Sequence, residues 1–148
     1  MQHQRFHLKT IKDLKQKTDE LGINIPLQEN DLSILGSELK LNSHTLANRF
    51  VVNPMEGFDA DYSGTPGELS LRRYSRYSAG ASGLIWFEAC AVVHEARSNP
   101  HQFFINEKNV DVYKELVEHT RKTARQHNNA EPVLILQLTH SGRYSKPE

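Results

Sequence analysis

Two apolar runs constrain this chain more than any other feature. "LIWFEA" at 84–89 and "PVLILQL" at 132–138 are nearly continuous, without the alternation expected of a strand that wets one face. Strands of this kind belong to sheets covered on both sides, built from parallel neighbours joined by helices. The intervening segments agree. In "TPGELSLRRYSRYSAGASG", Thr65 with Glu68 three residues on fits a capping box, and Pro66 takes the favoured first helical position. Leu69 (or Leu71), Tyr74 and Tyr77 are expected to face the sheet, and Gly80 and Gly83 to end the helix. A further helix is expected near 109–127, with Val112, Leu116, Val117, Thr120 and Ala124 as its inward stripe. A short β-branched strand, "RFVVN" at 49–53, precedes both. The order is β-α-β-α-β, an α/β fold with parallel strands.

The first third reads differently. "TIKDLKQKTDEL" at 10–21 carries Ile11, Leu14 and Leu21 at helical spacing, with Thr10 as N-cap and Gly22 as stop. "NIPLQENDLSILG" reads as irregular chain, and a small hairpin is expected between about 38 and 50, turning at "NSHT". The expected division is an N-terminal helical extension, 1–32, and an α/β unit, 33–148. Three parallel strands leave two bare edges, which predicts a fragment of a larger domain or completion by partner chains.

Charge and cysteine content narrow the function classes. Eighteen basic residues face eighteen acidic ones among 148, which gives no electrostatic reason to bind nucleic acid or an anionic membrane. The apolar runs are too short to span a bilayer, and "MQHQRFHLKT" lacks the apolar core of a secretion signal, so a cytoplasmic protein is expected. The single Cys90 allows no internal disulfide and no four-cysteine metal site in this stretch, and it reads as a buried, inert side chain. The eight histidines show no HExxH or HxH spacing, and neither a GxGxxG nor a Walker loop appears.

In α/β proteins chemistry collects at the carboxyl ends of parallel strands. Those ends carry Asn53-Pro54-Met55-Glu56, then Glu88-Ala89-Cys90, then Gln137, His140, Gly142 and Arg143. Glu88 reads equally as a site group or as a carboxylate tied to a helix N-terminus or an arginine. Gln137, set in an apolar strand, needs partners for its amide, which a cofactor or a neighbouring backbone could supply. His140 and Arg143 could form a simple loop salt-bridge cluster.

The succession "NRFVVNPMEG", "GELSLRRYSRYSAGASGLIWFEACAV" and "LILQLTHSGR" resembles the amino-terminal part of the old yellow enzyme family, from about residue 33 onward. It is most similar to the NADH:flavin oxidoreductase and 2,4-dienoyl-CoA reductase-like branches. The resemblance implies the first three βα units of a (β/α)8 TIM barrel with FMN at the carboxyl-terminal mouth. It implies hydride transfer from NADH or NADPH through the flavin to an activated alkene or similar small-molecule acceptor. By position, Asn53, Pro54, Met55, Glu56, Ala89 and Gln137 would line the flavin, Gln137 at its pyrimidine edge. Phe58, His140 and Arg143 would line the substrate. Glu56 departs from the family, where Cys or Thr is common. An ionised carboxylate would lower the flavin potential, a protonated one could donate a hydrogen bond, and one turned away would leave a backbone N–H to act. Phe58 is a second departure, where relatives can carry Tyr. The substrate-anchoring residues and the phosphate-gripping loops of the family lie in later strands, so the catalytic residues are not assigned here.

Two other readings stand beside this one. A partial barrel could be a non-catalytic oligomerisation or interaction module, pairing with another copy through its exposed edges. A metal-assisted lyase or hydrolase could use Glu88 and His140 as ligands, although Gln137 lies between them.

Overall fold

The computed structural model describes residues 7–28 and 30–148, which form two compact units, Met1–Leu32 and Ser33–Glu148. The first six residues of the extension and Glu29 lie outside the described residues. In the first unit, α1 (Ile11–Glu20) has the predicted Thr10 cap. Its hydroxyl accepts from the Asp13 N–H at 3.1 Å, and the Asp13 carboxylate accepts from the Thr10 N–H at 3.0 Å. Gly22, at φ +64°, stops the helix.

The second unit opens with a short helical turn, α2 (Ser33–Gly36), where irregular chain was expected. The hairpin follows as β1 (Leu39–Leu41) and β2 (His44–Leu46), antiparallel, with Asn42 at φ 54° in the two-residue turn. The first core strand is shorter than its apolar run, β3 (Val51–Val52). Helix α3 (Glu68–Ala79), strand β4 (Leu84–Ala91), strand β5 (Phe103–Phe104), helix α4 (Val110–Asn128) and strand β6 (Val133–Thr139) complete the chain.

Strand β4 is the axis of the sheet. All its partners are parallel: β3 pairs with its first residues, β5 with its last two, and β6 along its length. Strand β5 was not foreseen; it lies in what reads as a long loop. Helices α3 and α4 cover one face. Against them pack Ile85, Phe87 and Cys90 of β4 with Phe103, Tyr74, Tyr113 and Leu116. The Tyr74 and Phe87 rings stack at 4.3 Å. Each large apolar side chain taken fully out of water here contributes about 1.5–3 kcal/mol. Cys90 is fully buried, and burial pushes its thiol up, away from the reactive thiolate.

Four expectations fail. The capping box at Thr65 and Glu68 does not form, and Pro66 is not helical: α3 starts at Glu68 with Gly67 as N-cap. Thr65 belongs instead to a loop organised by Asp61, whose carboxylate accepts from the Thr65 N–H at 2.9 Å and the Ser63 N–H at 2.8 Å. The buried residues of α3 are Ser70, Tyr74 and Ser78, with Tyr77 packed half-buried against the core as expected, while Leu69 and Leu71 are exposed. Small residues let the helix approach the sheet, and the Ser78 hydroxyl is satisfied by the Tyr74 carbonyl at 2.7 Å. On α4, Tyr113 replaces Val112 as the inward residue because its hydroxyl donates to the Gly64 carbonyl at 2.6 Å. The sheet is also not covered on both faces, since Trp86, on the face away from the helices, is 38% exposed. No described helix is long and apolar enough to cross a membrane.

Candidate functional site

The "NPMEG" turn that follows β3 is shaped from behind. Glu88 is 1% exposed and points to the helix side, where it forms an ion pair with Arg73. It also accepts from the Gly57 N–H at 2.7 Å and from the Tyr74 hydroxyl at 3.2 Å. Asp59 takes the other side of the Arg73 guanidinium, at 2.5 Å. A Cβ at Gly57 would run into that guanidinium, which would have to shift. Burial lowers and two carboxylates raise the Arg73 pKa, and the net effect is upward, which keeps the cation charged. Burial raises the Glu88 carboxyl, against the pull of the Gly57 N–H and Arg73, and nearby Asp59 adds to the rise. Of the two bland readings of Glu88, the arginine partner is the one observed. A metal pair of Glu88 with His140 finds no support, because Glu88 is turned into this cluster.

A bulge makes that orientation possible. The β4–β6 register shifts between Phe87 and Ala89, leaving Glu88 as the extra residue. Phe87 and Glu88 therefore both face the helices, and the alternation restarts with Ala89 on the open face. Ala89 pairs with Gln137, and Trp86 with Ile135, so these four side chains share that face. The bulge removes a carboxylate from the open face and puts a small residue opposite the Gln137 amide.

On this face Gln137 is half-buried rather than buried, and its amide has no hydrogen-bond partner among the described residues. Met55 is 72% exposed, Asn53 is exposed and Pro54 half-buried. Glu56 turns toward the loop after β4. Its carboxylate accepts from the Ser98 hydroxyl at 3.0 Å, Asn99 Nδ2 at 3.0 Å and Gln102 Nε2 at 3.3 Å. Sequence reasoning missed all three donors. They lie in "SNPHQ", a polar turn with no periodicity, whose Asn-Pro pair was the available signal.

The loops are stitched together. The buried Arg97 guanidinium donates to the carbonyls of Tyr62 at 2.9 Å, Pro100 at 3.1 Å and Pro147 at 2.9 Å, joining segments after β3, β4 and β6. Phe58 sits at φ 54°, a conformation costing a bulky residue about 1–2 kcal/mol, and its ring lies 5.0 Å from His101. Tyr62 packs on the same imidazole at 4.8 Å. His101 Nδ1 contacts the Ala60 carbonyl at 2.7 Å and must donate there. Beyond β6, His140 and Arg143 are both exposed and form no salt bridge with each other. His140 Nδ1 accepts from the Gly142 N–H at 2.9 Å, and Arg143 bonds the Tyr144 hydroxyl at 2.6 Å. The structure thus brings Ala89 and Gln137 together on one face, sets Asn53 to Glu56 at the tip of β3, and leaves His140 and Arg143 apart on the final loop.

No family model and no curated protein matches the sequence. Solved structures do match the fold. The chain is similar to the old yellow enzyme of Trypanosoma cruzi, with a TM-score of 0.64 and 23% identity over 76% of this chain and 28% of that one. It is similar to morphinone reductase in complex with tetrahydroNAD, with a TM-score of 0.63 and 26% identity over 75% of this chain and 28% of the other. A 2-naphthoyl-CoA reductase bound to 2-naphthoyl-CoA gives a TM-score of 0.67 at 17% identity, over 78% of this chain and 17% of that chain. These neighbours include members of the old yellow enzyme family, and the α/β fold here matches the N-terminal part of their barrels. The chain spans less than a third of the length of each.

Proposed function

We propose that this chain contributes part of the flavin-binding mouth of an FMN-dependent oxidoreductase of old yellow enzyme type, corresponding to the first three βα units of a (β/α)8 barrel at 33–148 with 1–32 as an added helical segment. The observation that carries the reading is the Gln137 amide on the open face, which has no hydrogen-bond partner among the described residues and stands opposite the small Ala89, with Met55 exposed at the neighbouring strand tip. An amide presents donors and an acceptor in one plane, which suits the imide-like edge of a flavin ring. Asn53, Pro54, Met55, Glu56, Ala89 and Gln137 would hold the ring, with Met55 as a polarizable contact. When bound, FMN supplies hydride transfer from NADH or NADPH to an activated alkene or a similar small molecule. Phe58, His140 and Arg143 would line the substrate space. Glu56, held by Ser98, Asn99 and Gln102, would set a fixed negative charge near the ring and tune its potential. The proposed setting is the cytoplasm, with neither nucleic acid nor membrane as partner.

The test is an absorption spectrum of the purified chain mixed with FMN and then desalted. Retained flavin bands that disappear in Gln137→Leu support the assignment; retained bands unaffected by that substitution overturn the role of Gln137. For Glu56, an unchanged flavin midpoint potential in Glu56→Gln at every pH removes the tuning role. A second reading rests on Leu136 and Leu138, which stay exposed on β6. They suit a homo-oligomer or interaction module, which light scattering distinguishes: a stable oligomer that takes no flavin favours it.

A further inference from the structure

Gln102 is 1% exposed, yet it belongs to a loop and to none of the strands. Its Oε1 accepts from the Ser98 N–H at 2.6 Å. A backbone N–H can only donate, so that contact fixes which end of the amide is oxygen. The Nε2 end then faces three acceptors: Glu56 Oε1 at 3.3 Å, the Ala89 carbonyl at 3.2 Å and Thr139 Oγ1 at 3.3 Å. Glu56 follows β3, Ala89 lies near the end of β4, and Thr139 is the last residue of β6. One buried amide therefore touches the turn after β3 and the carboxyl ends of β4 and β6.

We infer that Gln102 is the positioning residue that sets these three strand ends relative to one another, and through them the mouth described above. This rests on the oxidoreductase reading for its purpose, but not for its geometry. The amide has two N–H groups and three acceptors, so at least one hydrogen is shared. Shared donors couple their acceptors: losing one strengthens the bonds to the rest. The turn that carries Gln102 is itself fixed. The Gln102 N–H donates to the Asn99 carbonyl at 3.2 Å, and the His101 N–H to Asn99 Oδ1 at 2.9 Å. A rigid turn lets the amide act as a reference point, where a mobile one would merely follow the strands.

The experiment is amide hydrogen exchange on the full chain, comparing wild type with Gln102→Leu and Thr139→Val. In Gln102→Leu, exchange at 53–58, 89–92 and 137–141 should rise together by about tenfold, the size expected for one lost buried hydrogen bond, with α4 and the hairpin unchanged. In Thr139→Val one competing acceptor is gone and the shape is kept. Exchange at 53–58, joined to Thr139 through Gln102, should then fall. A purely structural role for the side chain gives no such reversal of sign. A rise confined to 98–104, a uniform rise, or no change at 53–58 in Thr139→Val overturns the inference. If Gln102→Leu does not fold, the Thr139→Val arm decides alone. Titration with FMN is read separately. Weaker binding in Gln102→Leu, by about tenfold, ties the positioning to the flavin mouth. A wild-type chain that takes no FMN counts against the oxidoreductase reading alone, and the exchange result still judges Gln102.

Discussion

The two faces of β4 near its carboxyl end differ more than any other pair of surfaces in the molecule. On the helix side, Glu88, Arg73, Asp59, Tyr74 and the Gly57 N–H bond one another in a cluster largely shut from water, in which only Arg73 Nε lacks a partner. On the open side of the same strand, Trp86 is exposed and Gln137 half-buried beside the buried Ala89. One face closes on itself through charged side chains, and on the other the Gln137 amide has no hydrogen-bond partner among the described residues. The bulge at Glu88 separates them, because without it the carboxylate would lie on the open face.

If the closed face is structural, the largest effect should come from Arg73→Leu. It leaves the Asp59 and Glu88 carboxylates buried without a cation, which costs about 3–5 kcal/mol. Chemical denaturation monitored by far-UV dichroism reads it directly. A loss below about 1 kcal/mol, the range of an exposed ion pair, breaks the contrast between the faces. Next in size is Gly57→Ala. The added Cβ meets the Arg73 guanidinium, which its two carboxylates prevent from swinging away, so the overpacking should cost about 1–3 kcal/mol. Combined with Arg73→Leu, the same alanine should cost much less, because the obstacle is gone. Additivity of the two substitutions would show that the clash is not with Arg73.

The open face should behave in the opposite way. Gln137→Leu removes no internal hydrogen bond, so stability should change by no more than about 0.5 kcal/mol. If the flavin reading holds, affinity for FMN should still fall about tenfold. A clear loss of stability with unchanged flavin binding would move Gln137 from the open class to the closed one.

The layers of this fold were readable because they depend on patterns of many residues. "LIWFEA" and "PVLILQL" reveal β4 and β6 whatever happens at a single position, and Leu116, Thr120 and Ala124 mark the inner side of α4. The features that shape the candidate site depend on one or two residues and leave no periodic trace. The bulge adds one residue to β4 without changing its composition, so the side on which Glu88 falls could not be read. Ser70 and Ser78 face inward because their hydroxyls are satisfied, by the Asp59 carboxylate and the Tyr74 carbonyl, and a hydrophobicity pattern assigns that side to Leu69 and Leu71 instead. Thr65 has every mark of a cap, but Asp61 competes for it four residues upstream. Gln102 shows the limit best. Its three acceptors lie 46, 13 and 37 residues away, so only the folded chain brings them together. Pro54, Met55, Ala89 and Gln137 could be picked out because they recur in order at strand ends, which is a property of their arrangement and not of any one of them.

The smallest expected effect concerns protons, and here two carboxylates in this unit should respond in opposite directions. Burial raises the Glu88 carboxyl above its ordinary value of 4.5, outweighing the Gly57 N–H and Arg73. The folded chain then binds this proton more tightly than the unfolded chain does. The group's contribution to stability is full below pH 4.5 and is lost as pH rises through the folded value. Asp61 is the reverse case. Burial works against its charge, but hydrogen bonds from Ser63 and Thr65 hold its carboxyl below the ordinary 3.8. Its contribution is present above pH 3.8 and is lost as pH falls through the lower, folded value. Denaturation midpoints measured across this range for wild type, Glu88→Gln and Asp61→Asn separate the two. The advantage of wild type over Glu88→Gln should shrink as pH rises above 4.5, and its advantage over Asp61→Asn should shrink only on strong acidification. A flat Glu88→Gln difference would mean that Arg73, Tyr74 and the Gly57 N–H offset the burial of that charge completely. The closed face would then be held together by its electrostatics, and the bulge would serve to bring Glu88 to Arg73 rather than only to clear the open face.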